Sequence, residues 1–118
     1  MRVDAILALD MLLSARDAFA FASEVSKDDF EHDRMRQLAV IKSIETIGEA
    51  AARVSEGFRN AHPEIPWRDI VAMRNRLVHG YFELDLDRVR ATALNDLPPL
   101  VRMLEALTLD DGAGVSGE

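Results

Sequence analysis

Apolar side chains recur every three or four positions over most of this chain, and nowhere do apolar and polar residues alternate over a stretch of strand length. A period near 3.6 specifies helices that each bury one stripe, and the missing period of two removes strands as an organising element. The clearest seam is Val40, Ile44, Ile47, Ala51 and Val54, spaced by four and three in turn, as antiparallel helix packing requires. A longer stripe of Leu86, Val89, Ala93, Leu97, Leu100, Leu104 and Leu107 follows it. The sequence therefore predicts an all-α fold, an up-and-down bundle of four main helices with a short extra helix or a kink. Its 118 residues suffice for one core and not for two.

The first helix is expected from Arg2 to Ser23. At about 100° per residue, Ala5, Ile6, Leu9, Leu12, Leu13 and Ala20 share one side, while Leu7, Met11 and Ala18 lie on another. A helix that is apolar on two sides wants two partners, which means either a central place in the bundle or an interface beyond it. Ser26 with Asp29 reads as a cap that opens a second helix, or a short helix leading into one near Asp33. Gly57 is read as its end and Asn60 to Pro63 as a turn, with Pro66 introducing a third helix over Trp67 to His79. Gly80 should stop that helix and Asp85 cap the next. Pro98 and Pro99 remove two backbone donors, so the last helix either kinks there or restarts with Asp96 as its cap. The domain is expected over 1–109. Residues 110–118 contain three glycines and read as a disordered tail.

Cysteine is absent, which excludes disulfides, thiolate zinc sites and cysteine nucleophiles. No apolar run reaches the length of about 18 residues that a membrane span needs, and Arg2, Asp4 and Asp10 interrupt the first apolar stretch. A cytoplasmic location is expected. The net charge of −7 disfavours a general electrostatic grip on nucleic acid. The charge is uneven, however. Residues 53 to 90 hold seven arginines against six acids, a net of +1, and the remaining 80 residues carry −8. Twelve of the fourteen basic residues are Arg, a bias that suits planar, bidentate contacts to phosphate or carboxylate and that genomic base composition also produces.

The most informative segment runs from Met73 to Tyr81. With Trp67 set at 0°, Ile70, Val71, Leu77 and Val78 fall on one face, and Arg74 lands in the middle of it. A guanidinium there is costly unless it is paired or opens onto a cleft. Asn75 and His79 are four residues apart, so the amide can orient the imidazole. Arg74 and His79 lie about 140° apart on one ideal helix. They can act on one phosphate if the helix ends at His79 and turns it, or if two copies of the segment face each other. A paired structural Arg and a helix-terminal His before Gly80 are the plain alternative. Glu45 and Glu49 read as a solvated face, with Glu49 also a candidate partner for Arg74. His32 and His62 have no second His at ligand spacing, so neither a metal nor a cofactor is expected.

Arg74-Asn75-x-x-x-His79-x-Tyr81 resembles the motif of the HepT-like toxins of the HEPN superfamily. So do Asp28 to Phe30, the run Ala39 to Ala51 with Ile47-Gly48-Glu49-Ala50, the triplet Ile65-Pro66-Trp67, and Tyr81-Phe82. The likeness covers about Asp28 to Leu107. It departs at Arg90, where an aromatic residue is expected. The resemblance implies a four-helix, two-fold homodimer in a type VII-like toxin–antitoxin system, with a composite, metal-independent site that cuts RNA. Arg74 and His79 would be catalytic and Asn75 would support them. Tyr81 would accept AMP from a separate nucleotidyltransferase antitoxin, which silences the toxin. From a different class, a non-catalytic subunit that presents a substrate or nucleotide to a partner nucleotidyltransferase stays open.

Overall fold

A computed structural model describes the backbone of residues 2–79 and 85–116 and the side chains of 3–77 and 85–107. In chain order the elements are α1 (Arg2–Ser23), α2 (Lys27–Glu31), α3 (Arg34–Arg53), α4 (Glu56–Ala61), α5 (Trp67–His79), α6 (Leu86–Ala91), a π-helical turn (Thr92–Asp96) and α7 (Leu97–Ser116). Among the described residues there is no strand. The long helices α1, α3, α5 and α7 make an all-α, HEPN-like bundle in which α1 packs on α3 and α7, and α3 packs on α5.

Short polar side chains start the helices. Ser26 caps α2, Asp33 caps α3 and Asp85 caps α6, each accepting a hydrogen bond from a backbone N–H three residues on. The seam Val40, Ile44, Ile47, Ala51 and Val54 is fully buried, as are Val89, Ala93, Leu97, Leu100, Leu104 and Leu107. Burying a Val, Leu or Ile contributes about 1.5–3 kcal/mol, so these two stripes are a large part of the cohesion.

α1 is two-faced. Leu7, Ala8, Met11, Leu12, Ala15, Ala18 and Ala22 are buried, and the run of alanines brings the helix close to its neighbours. Val3, Ile6, Leu9 and Leu13 point away from the core and are 41–61% exposed.

Gly57 does not end α3. That helix stops at Arg53, Val54 is extended, and Gly57 lies inside α4. Ser55 is the reason, because its hydroxyl accepts from Phe58 N and opens a new helix. Arg59 in α4 reaches back to donate to the carbonyls of Ala51 and Ala52, the free acceptors at the end of α3. The same junction is tied to α1 by Asp4. This carboxylate is 3% exposed, and it accepts from Ser55 N at 2.8 Å and from Ser55 Oγ at 2.7 Å. The bond from the Ser55 backbone N–H holds the Asp4 carboxyl below its ordinary range, against the opposing effect of burial.

At Pro98 and Pro99 the chain does not restart with an Asp96 cap, because Asp96 lies inside a π-helical turn that runs straight on in sequence into α7. Instead it widens by one residue: Leu97 N, the last donor before the prolines, bonds Thr92 O, and the helix continues as α7. α7 runs to Ser116, so its backbone is helical through most of the segment that composition reads as a tail.

Candidate active site

The short loop ahead of α5 is pinned at several points. The Trp67 indole N–H donates to His62 O at 3.0 Å, and Ile70 N donates to Pro66 O at 3.0 Å. Phe58 packs edge-on to Trp67 with ring centroids 6.1 Å apart. Ile65, Trp67 and Ile70 are buried, while Val71, Met73 and Leu77 are half-buried against the core. This anchoring fixes the register of α5 against α3.

Arg74 sits where those two helices meet. A Cβ on Gly48 would overlap Arg74 Cβ and come within 2.6 Å of its Cγ, so only a glycine at 48 lets the Arg74 stem lie on α3. The Arg74 guanidinium is half-buried. Its Nη1 donates to Asn75 Oδ1 at 2.9 Å, and its Nε is buried with no acceptor among the described residues. Glu49 is exposed and does not pair with Arg74. The position of Arg74 on the apolar face is thus met by the bare backbone at Gly48 and a neutral amide, and by no carboxylate among the described residues.

Asn75 is occupied by Arg74 through its oxygen, and no described residue accepts from its amide nitrogen. The α5 backbone reaches His79. The His79 side chain, Gly80 and Tyr81 lie outside the described residues, so the structure brings together Arg74 and Asn75 of the expected set. Beside Asn75 opens a groove of about 730 Å³ between α3, α4 and the first two turns of α5. On another side of α5, a cleft of about 320 Å³ places Arg76 and Arg88 with Asp69 and Asp96.

Among the described residues none of the seven arginines from 53 to 90 forms an ion pair. Arg16 and Arg36, elsewhere in the bundle, do: Arg16 with Glu105 at 2.6 Å, and Arg36 with Glu24 and Asp33 at 3.0 and 3.3 Å. The arginines of this stretch thus stand, among the described residues, without carboxylate ion-pair partners, three of them on α5. No three His, Asp or Glu side chains among the described residues converge on a point where a cation could be held.

The family profile described as Ribonuclease HepT-like matches residues 11–107. The chain belongs to this family. A protein of Thermococcus cleftensis named as a probable ribonuclease HepT is 40% identical over 87 residues, which is 74% of this chain and 79% of that one. A protein of Methanocaldococcus jannaschii named as a candidate RNase is 32% identical over 101 residues, 86% of this chain and 84% of the relative. Another candidate RNase, from Caldanaerobacter subterraneus subsp. tengcongensis, is 32% identical over 83 residues, 70% of this chain and 74% of that protein. No solved structure gives a significant match.

Two features of the site escape a reading by helix face. One is the reason for Gly48, which exists only once α3 and α5 are side by side. The other is the groove, whose walls come from three elements. The unbalanced arginines were its single trace in the sequence.

Proposed function

We propose that this HepT-like family member is an endoribonuclease and the toxin of a type VII-like toxin–antitoxin pair, acting in the cytoplasm without a metal. The observation that carries this reading is Arg74: a guanidinium laid on Gly48 at a helix crossing, half-withdrawn from water, and answered among the described residues by a neutral amide. A cation with no carboxylate partner among the described residues, held by an amide that lines a groove, is suited to an anion that arrives from outside, and a phosphodiester is such an anion.

In the reaction, the ribose 2′-oxygen attacks phosphorus and the 5′-oxygen leaves. His79 takes the 2′-hydroxyl proton or protonates the leaving oxygen. Arg74 donates to the equatorial oxygens, where negative charge grows. Asn75 holds the Arg74 guanidinium in place. Since Arg74 and His79 diverge on one helix, the site is composite, with two copies of α5 facing each other. The exposed apolar row Val3, Ile6, Leu9 and Leu13 supports association, because a monomer gains nothing by leaving it in water. Tyr81 is the acceptor of AMP from the partner nucleotidyltransferase. A bulky anionic group two residues from His79 would repel RNA.

Purified wild-type protein should cut total RNA in the presence of a chelator, and Arg74→Ala should not. RNA left intact by the wild type, or equal cutting by both proteins, overturns the assignment. Light scattering should give a dimer at micromolar concentration. Co-expression with the cognate transferase should add one AMP mass to the wild type and none to Tyr81→Phe.

A further inference from the structure

The groove beside Asn75 is not needed to hold a scissile phosphate at Arg74, yet it is continuous with the residue that holds Arg74. Its walls include Ala52 of α3, Arg59 of α4, and Trp67, Arg68, Asp69 and Asn75 of α5. A volume of about 730 Å³ is that of a small-ligand site. We propose that this groove seats a nucleotide of single-stranded RNA adjacent to the one cut at Arg74, with Arg68 gripping its phosphate. The proposal rests on the ribonuclease reading above.

Three observations favour a nucleotide. Arg59 is immobilised by its bonds to the Ala51 and Ala52 carbonyls, so it is a fixed positive wall, whereas Arg68 is exposed at the rim and forms no ion pair among the described residues. Two guanidinium groups at one groove favour a phosphate. The surface between them is largely apolar, formed by Pro66, Val71 and Ala72 beside the buried Trp67, and apolar surface suits the face of a base. Asp69 is a poor neighbour for a bare anion but a good acceptor for base amino groups or a 2′-hydroxyl. A free phosphate uses just one of these features, and a nucleotide uses all three.

Arg68 and Asn75 are seven residues apart on the same stripe, about 10.5 Å along α5, a separation of between one and two nucleotides that the long arginine side chains can bridge to adjacent phosphates. Duplex RNA hides its base faces and edges in the stack, so the groove selects single strands.

The test measures binding by fluorescence anisotropy, using the full chain and a single-stranded 2′-O-methyl oligoribonucleotide, whose blocked 2′-oxygen prevents cleavage. Arg68→Glu is compared with Arg34→Glu, an exposed substitution at the start of α3 that changes net charge equally. Ala52→Glu places a negative charge in the same groove from a different helix. Arg68→Glu and Ala52→Glu are each expected to weaken binding about tenfold, and Arg68→Glu, which removes a phosphate contact, to reduce the slope of log K against log salt by about one. Arg34→Glu should stay within about twofold of wild type, and a duplex of the same sequence should bind more weakly than the single strand. If Arg68→Glu and Arg34→Glu behave alike, or if Ala52→Glu binds as wild type does, the groove is not the nucleotide seat, while the ribonuclease reading stands. A wild type that neither binds the oligonucleotide nor cuts RNA removes both.

Discussion

Two ionic side chains are drawn out of water beside the C-terminal half of α3, and the fold treats them oppositely. Asp4 is almost fully buried, and both of its oxygens accept from Ser55, one from the backbone N–H and one from the hydroxyl. Arg74 keeps a buried Nε with no acceptor among the described residues and relies on one bond to a neutral amide. The first arrangement is closed: it joins α1 to the α3–α4 junction, and both carboxylate oxygens are engaged by Ser55 in a nearly fully buried place. The second is open, and an unsatisfied donor costs the folded state about 1–3 kcal/mol. Arg59 and Arg90 keep a buried Nε of the same kind, so what sets Arg74 apart is the glycine that only it requires, and that is the ground on which we propose it for binding rather than cohesion.

The sharpest way to break this contrast is to remove the Arg74 charge and keep its stem. Arg74→Met should lower RNA cleavage at least about 100-fold, the size of effect seen when a preorganised donor to a transition-state anion is lost. Its thermal midpoint should equal or exceed that of the wild type, because the buried orphan disappears and the methylene packing on Gly48 remains. A large fall in the midpoint would make Arg74 a structural residue like Asp4.

Next in size is the support beneath Arg74. Gly48→Ala forces α5 away from α3, a strain of about 1–3 kcal/mol, and should reduce cleavage by displacing Arg74. Gly57→Ala is the matched control. Nothing lies within 4 Å of a Cβ at 57, and Gly57 sits inside α4 without a positive φ. It should therefore stabilise the protein by up to about 1 kcal/mol. Urea unfolding of the two variants checks the opposite signs; equal signs would mean that the α3–α5 contact is looser than the structure has it.

The sequence carried much of this, and where it fell short the reason is spatial. Helix starts were legible because Ser26, Asp33 and Asp85 act on N–H groups three residues away. The apolar seams were legible for the same local reason. α4 was not, since Gly57 is read as a stop while the Ser55 cap and the Arg59 clasp act against it. Asp4 looked like a mere interruption of an apolar stretch. On a helical wheel, though, it lies in line with Met11, Ala15, Ala18 and Ala22, which was the signal that it faces the core. Its partner Ser55 is 51 residues away and no local pattern points to it. The double proline allowed a kink or a restart, and the fold chose a π-turn because one added residue moves the last donor, Leu97 N, onto Thr92 O. The place of Arg74 on an apolar face was visible from spacing alone; that its neighbour is a bare glycine rather than Glu49 required two helices in contact.

The smallest effect tests the closed half of the comparison. Asp4→Asn keeps the shape of the side chain but replaces one charged acceptor with an amide NH2, and should cost about 1–2 kcal/mol at neutral pH. The dependence on pH has a definite sign. The bond from Ser55 N holds the folded-state pKa of Asp4 below its unfolded value, so the folded protein binds the proton less readily than the unfolded chain. Ionised Asp4 therefore stabilises the fold fully above the unfolded value, about pH 3.9, and that contribution fades as pH falls through the lower, folded value. Urea midpoints for wild type and Asp4→Asn should be well separated at pH 7 and draw together as the pH drops below about 4. RNA cleavage by Asp4→Asn should match the wild type wherever both are folded, because its bonds end at Ser55 and leave Arg74 untouched. A gap that stays constant down to the acid limit would mean that the Ser55 bonds do not depend on the charge of Asp4. A loss of cleavage at full folding would mean that the two buried ions are coupled through α3, and that neither can be read alone.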